Sequence, residues 1–107
     1  MADKDKVLML LGLAKRAGKV TAGGEMTLKD GRAGKLFCVI VAGDVSEGST
    51  KKIRNMCEYY EIPLFTYGEK KTLGKALGRD YCAAAGIQDP GFAKEIEKRI
   101  LQANKNR

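Results

Sequence analysis

The heptapeptide LFCVIVA, residues 36–42, constrains the fold more than any other part of the chain. It is apolar throughout, rich in β-formers, and bounded by Gly34 and Gly43. A strand with one wet face alternates apolar and polar residues, whereas an unbroken run of this length belongs to a strand covered on both faces. Covering both faces requires two more layers, and the remaining sequence offers helices to build them. The expectation is an α/β fold: one three-layer α/β/α sandwich around a small mixed sheet of about four strands. At 107 residues and 11.6 kDa, residues 1–107 read as a single domain, since a second core needs ~100 residues of its own.

The flanking segments supply the helices. Val7, Leu8, Leu10, Leu11, Leu13 and Ala14 recur at helical spacing and Gly18 follows them, so residues 4–17 read as a helix. Residues 19–22 read as a short extended piece. A second helix starts at Gly24 or Glu25 and ends near Ala33, with Gly34 as its stop. Ser49 or Thr50 caps a third helix with Ile53, Met56, Cys57 and Tyr60 inside, followed by Pro63 and a strand through Leu64, Phe65 and Thr66. Thr72, after the polar loop of Gly68, Glu69, Lys70 and Lys71, caps a short helix carrying Leu73, Ala76 and Leu77 and stopped by Gly78. Residues 81–85 read as a strand. Asp89 then caps a last helix with Pro90 at its first position and Phe92, Ala93, Ile96 and Ile100 inside. The tail from about residue 102 is expected to fray.

The residue inventory narrows the chemistry. Histidine is absent from the whole sequence, which removes Ser/His and Cys/His nucleophiles, histidine bases and most zinc sites. Cys38, Cys57 and Cys82 are odd in number and widely spaced, which gives neither a disulfide framework nor a metal or redox pair; Cys38 and Cys82 read as core thiols. Glu58 with Glu61, and Asp44 with Glu47, read as solvated surface rather than acid/base pairs. The chain is expected to be no enzyme and to hold no cofactor or metal. No apolar run approaches the ~18 residues of a membrane span, and the start is too short in apolar length for a secretory leader, so a cytoplasmic protein is expected.

The formal charge is +7, which favours a polyanionic partner. The excess is uneven. Residues 1–35 hold eight Lys/Arg against four Asp/Glu, residues 36–68 hold three against four, and residues 69–107 hold nine against five.

The segment AKRAGKVTAGGEMTLK, residues 14–29, combines these cations with a glycine pair that opens a helix. A helix start carries unpaired N–H groups and partial positive charge, and Gly23 and Gly24 have no Cβ to hold a ligand away. Gly18–Lys19 and Gly34–Lys35 lack the Ser/Thr and the upstream glycine of a phosphate loop, and GxGxxG is absent. Glu25 and Lys29 are spaced for a surface ion pair or, alternatively, for ligand contact. Lys70 and Lys71 are solvated unless their loop adjoins the second helix. One reading of this segment is a nucleotide or phosphometabolite site at the Gly23–Gly24 helix start.

The same residues carry a resemblance. AKRAGKVTAGG is similar to the stretch leading into the RNA-binding helix of the kink-turn-binding ribosomal-protein family, L-seven-Ae, in the placing of Ala14, Gly18, Lys19 and Gly23. MCEYYEIPLFTY at residues 56–67 and TLGKALG at residues 72–78 resemble that family's third helix with its Pro-led strand and its short helix. LGLAKRAGKV, STKKI and GFAK resemble its bacterial YlxQ-type branch. The resemblance implies a non-catalytic protein that binds kink-turn RNA with tandem sheared G·A pairs, with ribosome association a further expectation; a monomer is expected because nothing in the sequence calls for more. It implies RNA contacts from Gly23, Gly24, Glu25, Met26 and Lys29, and Arg32, one turn past Lys29 on the same helix, is expected to contact phosphate. Glu25 and Met26 stand where the family usually has Asn and Glu, so altered recognition is expected. The family's loop over the extruded base corresponds to residues 67–73, where Lys70 and Lys71 replace an apolar tip and favour backbone contact.

Overall fold

The computed structural model describes residues 5–105. Their elements run α1 (Lys6–Arg16), β1 (Val20–Ala22), α2 (Gly24–Arg32), β2 (Cys38–Val41), α3 (Glu47–Tyr59), β3 (Leu64–Thr66), α4 (Lys70–Ala76), β4 (Ala84–Ile87) and α5 (Pro90–Lys105). The sheet order is β1-β4-β2-β3. β2 pairs with β3 in parallel, while β4 is antiparallel to both β1 and β2. The sheet is therefore mixed and four-stranded, as the sequence predicts.

All four residues of β2 are buried, and they divide by parity. Cys38 and Ile40 pack with Val7, Leu11, Leu73, Leu77, Ile96 and Ile100, so α1, α4 and α5 cover one face. Val39 and Val41 pack with Leu28, Ile53, Met56 and Cys57, so α2 and α3 cover the other. Each large apolar side chain so buried contributes about 1.5–3 kcal/mol. The period of two along a strand sends successive side chains to opposite layers, so Cys38–Val41 is apolar throughout, whereas Phe37 precedes β2 and is 48% exposed although the sequence places it in the doubly covered strand.

The pairing register also fixes which loops meet. Ala22 lies opposite Ala85, Val41 opposite Ala84, and Val41 opposite Thr66. The ends of β1, β2 and β3 therefore gather at the start of β4, on one end of the sheet. Backbone bonds close that end: Gly23 N donates to Ala84 O (2.8 Å), Ala42 N to Ala83 O (2.9 Å), and Gly43 N to Gly68 O (2.8 Å).

Several boundaries differ from the sequence expectation. α3 starts three residues earlier than a Ser49 cap implies, because Ser46 Oγ accepts from Ser49 N (3.3 Å) and Glu47 suits the first turn. Tyr60 leaves the inner face and is the exposed C-cap. α4 starts at Lys70, with Glu69 as N-cap and Thr72 inside the helix closing a capping box, so Lys70 and Lys71 belong to its first turn. β4 covers Ala84–Ile87 rather than residues 81–85; Tyr81 is exposed, and Gly86 is required where Leu36 packs against the strand. Of the tail, residues 102–105 continue α5, and residues 106–107 lie outside the described residues.

All three cysteines are free thiols in the core. Burial pushes Cys38 up to about 12, with Glu97 adding to the effect, and burial pushes Cys57 up to about 11, from an ordinary 9.0. Both groups fold as neutral thiols, and their contribution to stability is whole below pH 9, where the unfolded thiols are also neutral. It is lost as pH rises through 9 towards 11 and 12, since only the unfolded chain then releases the protons. Urea midpoints should accordingly fall between pH 9 and pH 11 in the native protein and fall less in a Cys38→Ala/Cys57→Ala variant. An equal fall in both would show that other groups dominate.

Candidate nucleic-acid interface

The turn from β1 into α2 is the centre of the site. Gly23 adopts φ 103°, ψ 149°, a region essentially confined to glycine. This conformation lets Gly23 N close onto Ala84 while Gly23 O accepts from Thr27 N at 2.9 Å. No side chain caps α2, so its first amides keep their N–H groups for water or a ligand, at the end of the helix that favours anions. Gly24 has open space around it.

A buried polar chain sets the rotation of α2. Thr21 Oγ1 on β1 donates to Asp30 Oδ2 on α2 (2.6 Å) and accepts from Gln88 Nε2 (2.7 Å). Asp30, Thr27, Leu28 and Gly31 thereby face inward. Helical spacing then places Glu25, Met26, Lys29 and Arg32 outside, and all four are exposed. Glu25, Lys29 and Arg32 form one stripe that runs about 10 Å along the axis. Among the described residues no ion pair joins Glu25 to Lys29; the pairs present are Arg54–Glu47 and Arg99–Glu95.

The loop of residues 79–83 connects this turn to the Lys70–Lys71 region. Arg79 Nη1 donates to Ala22 O (3.0 Å) and lies about 3.5 Å from where a Cβ on Gly23 would stand. In the same loop Cys82 N donates to Lys70 O (2.9 Å). Lys70 N in turn donates to Asp44 Oδ1 (2.8 Å), and Tyr67 OH donates to the Asp5 carboxylate (2.9 Å). Gly74 makes the approach possible, since a Cβ there would meet Tyr81 N at 2.8 Å and Arg79 O at 2.9 Å. The structure thus brings Gly23, Gly24 and the first turn of α4 to one end, while Lys29 and Arg32 extend from it along α2.

A cleft of about 250 Å³ opens between α2 and α3, lined by Gly24, Glu25, Leu28, Ser49, Lys52, Ile53 and Ala83. Leu28 and Ile53 are buried apolar side chains, while Glu25, Ser49 and Lys52 are exposed polar ones. The mixture suits a flat ring with polar edges. Sequence reasoning missed Arg79, Lys52, Ser49 and the exposed Tyr81, because each joins the site through tertiary contact. The local signal available was Gly78–Arg79, a cation directly after a helix-stopping glycine. Among the described residues, no group of three or more His, Cys, Asp or Glu could hold a metal, and no helix is long and apolar enough to cross a membrane.

Mixed-sheet topology, two helical layers and a glycine-opened helix flanked by cations define a small α/β/α sandwich module. Residues 5–97 match the model of the ribosomal protein L7Ae/L30e/S12e/Gadd45 family, and the chain belongs to that family. It is 38% identical over 98 residues to a protein of Enterococcus faecium named RNA-binding protein YlxQ, covering 92% of this chain and 94% of that one. The Bacillus subtilis (strain 168) protein of the same name is 32% identical over 87 residues, with 81% and 87% covered. A solved structure of a protein of unknown function from Bacillus halodurans C aligns with TM-score 0.87 at 33% identity, covering 91% of this chain and 98% of that chain. The Giardia lamblia 15.5kD RNA binding protein shares the fold, with TM-score 0.73 at 20% identity over 92% of this chain and 84% of its own. YlxQ-type proteins are thus the relatives that the sequence resemblance anticipates.

The two glycines of the turn should respond differently to a methyl group. Gly23→Ala forces a side chain into a glycine-only conformation and should cost about 1–3 kcal/mol in urea unfolding. Gly24→Ala, in open space on a helix, should be neutral or stabilise by up to about 1 kcal/mol. Equal losses would refute the assignment of the strain to Gly23.

Proposed function

We propose that this protein is a non-catalytic RNA-binding protein that recognises a kink-turn, with Gly23, Gly24, Glu25, Met26, Lys29, Arg32, Lys70 and Lys71 at the interface. The observation that carries the reading is the exposed stripe of Glu25, Lys29 and Arg32, rooted in the uncapped start of α2 beside Arg79 and Lys52. Family membership and the relatives named as RNA-binding proteins support it. With no histidine in the chain, a binding role is the economical one.

The chemistry follows from the side chains present. A bent RNA presents the edges of noncanonical pairs that a straight A-form duplex keeps from view. Lys29 donates to a guanine O6 or N7 or to phosphate, and Glu25 accepts from base amino or imino groups. Met26 offers apolar contact alone, so recognition rests on Lys29, backbone amides and shape more than on paired polar side chains. The cleft between α2 and α3 has the dimensions and mixed lining to receive an unpaired base, and Tyr81 adds a ring for stacking. The family's ribosomal description supports ribosomal RNA or the ribosome as the partner, and the setting we infer is a monomer in the cytoplasm.

A gel shift comparing a tandem G·A kink-turn with the same RNA made fully paired tests the proposal. Preference for the kinked RNA is expected, with a log–log salt slope of roughly −3 to −4 for about four phosphate contacts. Lys29→Ala should cost about 1–3 kcal/mol on the kinked RNA and little on the paired one. Equal losses on both would remove the claim of specific readout. Thermal stabilisation by free nucleotides and not by RNA would favour instead a nucleotide or phosphometabolite site at the same helix start.

A further inference from the structure

The cleft between α2 and α3 is the first part of a longer groove. Gly31 of α2 packs so closely on α3 that a Cβ there would run into the Met56 sulfur, with Ile62 at 3.6 Å from the same point. The two helices therefore stay side by side beyond the cleft that holds Glu25 and Lys52. Seven residues make almost two helical turns, a rise of about 10 Å. Arg32 accordingly repeats the direction of Glu25 on α2, and Tyr59 repeats that of Lys52 on α3. Both are exposed, as is Asn55 between Lys52 and Tyr59. The groove thus continues with Arg32 on one rim and Asn55 and Tyr59 on the other.

The chemistry of these rims is that of single-stranded RNA recognition. Tyr59 is 80% exposed, and its ring meets that of Tyr60 edge to face, with centroids 4.8 Å apart and planes at 75°. Such a pair holds the ring in place and occupies at most one of its faces, so a face of Tyr59 is open. An exposed ring is a stacking platform for any base, and the Asn55 amide has both donors and an acceptor for a base edge. Arg32 and Lys52 supply charge, and among the described residues neither is in an ion pair, since the pairs present are Arg54–Glu47 and Arg99–Glu95. The carboxylates on either side of the tyrosine pair in sequence belong elsewhere. Glu58 and Glu61 line a separate cleft with Pro63 and Leu64, on the β3 side of α3.

We infer that an unpaired stretch of the bound RNA runs along the α2–α3 groove, with a base stacked on Tyr59, its edge met by Asn55, and phosphates held by Arg32 and Lys52. The inference rests on α2 being the RNA-binding helix, since the groove is continuous with that surface. An unpaired strand fits where a duplex does not, because paired bases stack on one another and leave no face for Tyr59. Affinity then depends on single-stranded nucleotides next to the kink as well as on the bend itself.

Amide NMR of the full chain, titrated with oligouridine alone and again with a blunt-ended kink-turn RNA already bound, tests the inference. Shifts at Asn55, Tyr59 and Tyr60 should appear in both titrations. Tyr59→Ala, a change at an exposed position, should weaken oligouridine binding about fivefold or more, as loss of one stacked base does. Tyr59→Phe should keep the affinity, and neither variant should change binding of the blunt kink-turn. Undiminished affinity in Tyr59→Ala, or shifts that leave α3 unmoved, overturn the inference. So does loss of the Tyr59 shifts once the blunt RNA is bound, since a duplex would then occupy the groove. Shifts at Tyr59 that follow protein concentration without RNA would make the groove a contact between copies of the chain and overturn it as well. Oligouridine bound at Tyr59, together with equal affinity for kinked and fully paired RNA, would overturn the kink-turn reading alone.

Discussion

Burial of β2 on both faces is the constraint from which the rest of the molecule follows. Cys38 and Ile40 need one helical layer and Val39 and Val41 need another, so the chain must supply helices to both sides of a sheet too small to close on itself. Hydrogen bonding adds the second demand. A strand buried in this way must pair on both edges, because its backbone has no access to water, and β4 and β3 supply those edges. Pairing β4 antiparallel to β2 and to β1 then turns the ends of three strands towards one start.

The candidate interface is a consequence of that convergence. The β1–α2 turn, the loop after β2, the start of α4 and the loop before β4 are tied by backbone bonds and by Arg79. The Thr21–Asp30–Gln88 chain links β1, α2 and the exit of β4 by polar groups. Satisfied hydrogen bonds of this kind cost little once made and much when one partner is lost. They fix the angular position of α2, and so decide that Lys29 and Arg32 face outward.

Much of the fold is legible in the chain. The starts of α2 and α5 fall where the sequence places them, at Gly24 and after Asp89, and β3 falls where Pro63 and Leu64–Thr66 predict, whereas α1 is Lys6–Arg16 within the expected 4–17 because Asp5 caps it. The misread boundaries share a cause. Ser46 competes with Ser49 and Thr50 as a cap, and Ser46 wins because its Oγ takes the Ser49 amide while Glu47 suits the first turn. Tyr81 and Cys82 look like strand because they are apolar and β-prone, yet the strand lies at Ala84–Ile87, whose small residues fit beneath Leu36 and between β1 and β2. Propensity yields to the space that neighbours leave.

What the sequence alone determined is the set of local structures and their chemistry: a doubly buried strand, amphipathic helices, a glycine turn into a cationic helix, and a family resemblance carried by Ala14, Gly18, Lys19 and Gly23. Those depend on residues close together in the chain. Only the tertiary structure decided that Arg79 supports the Gly23 turn, that Ser49 and Lys52 face Glu25 across a cleft, and that Tyr59 and Tyr60 stand at the far end from them. These relations join residues separated by tens of positions. Strand register and helix rotation create them, and no spacing within a single segment records either.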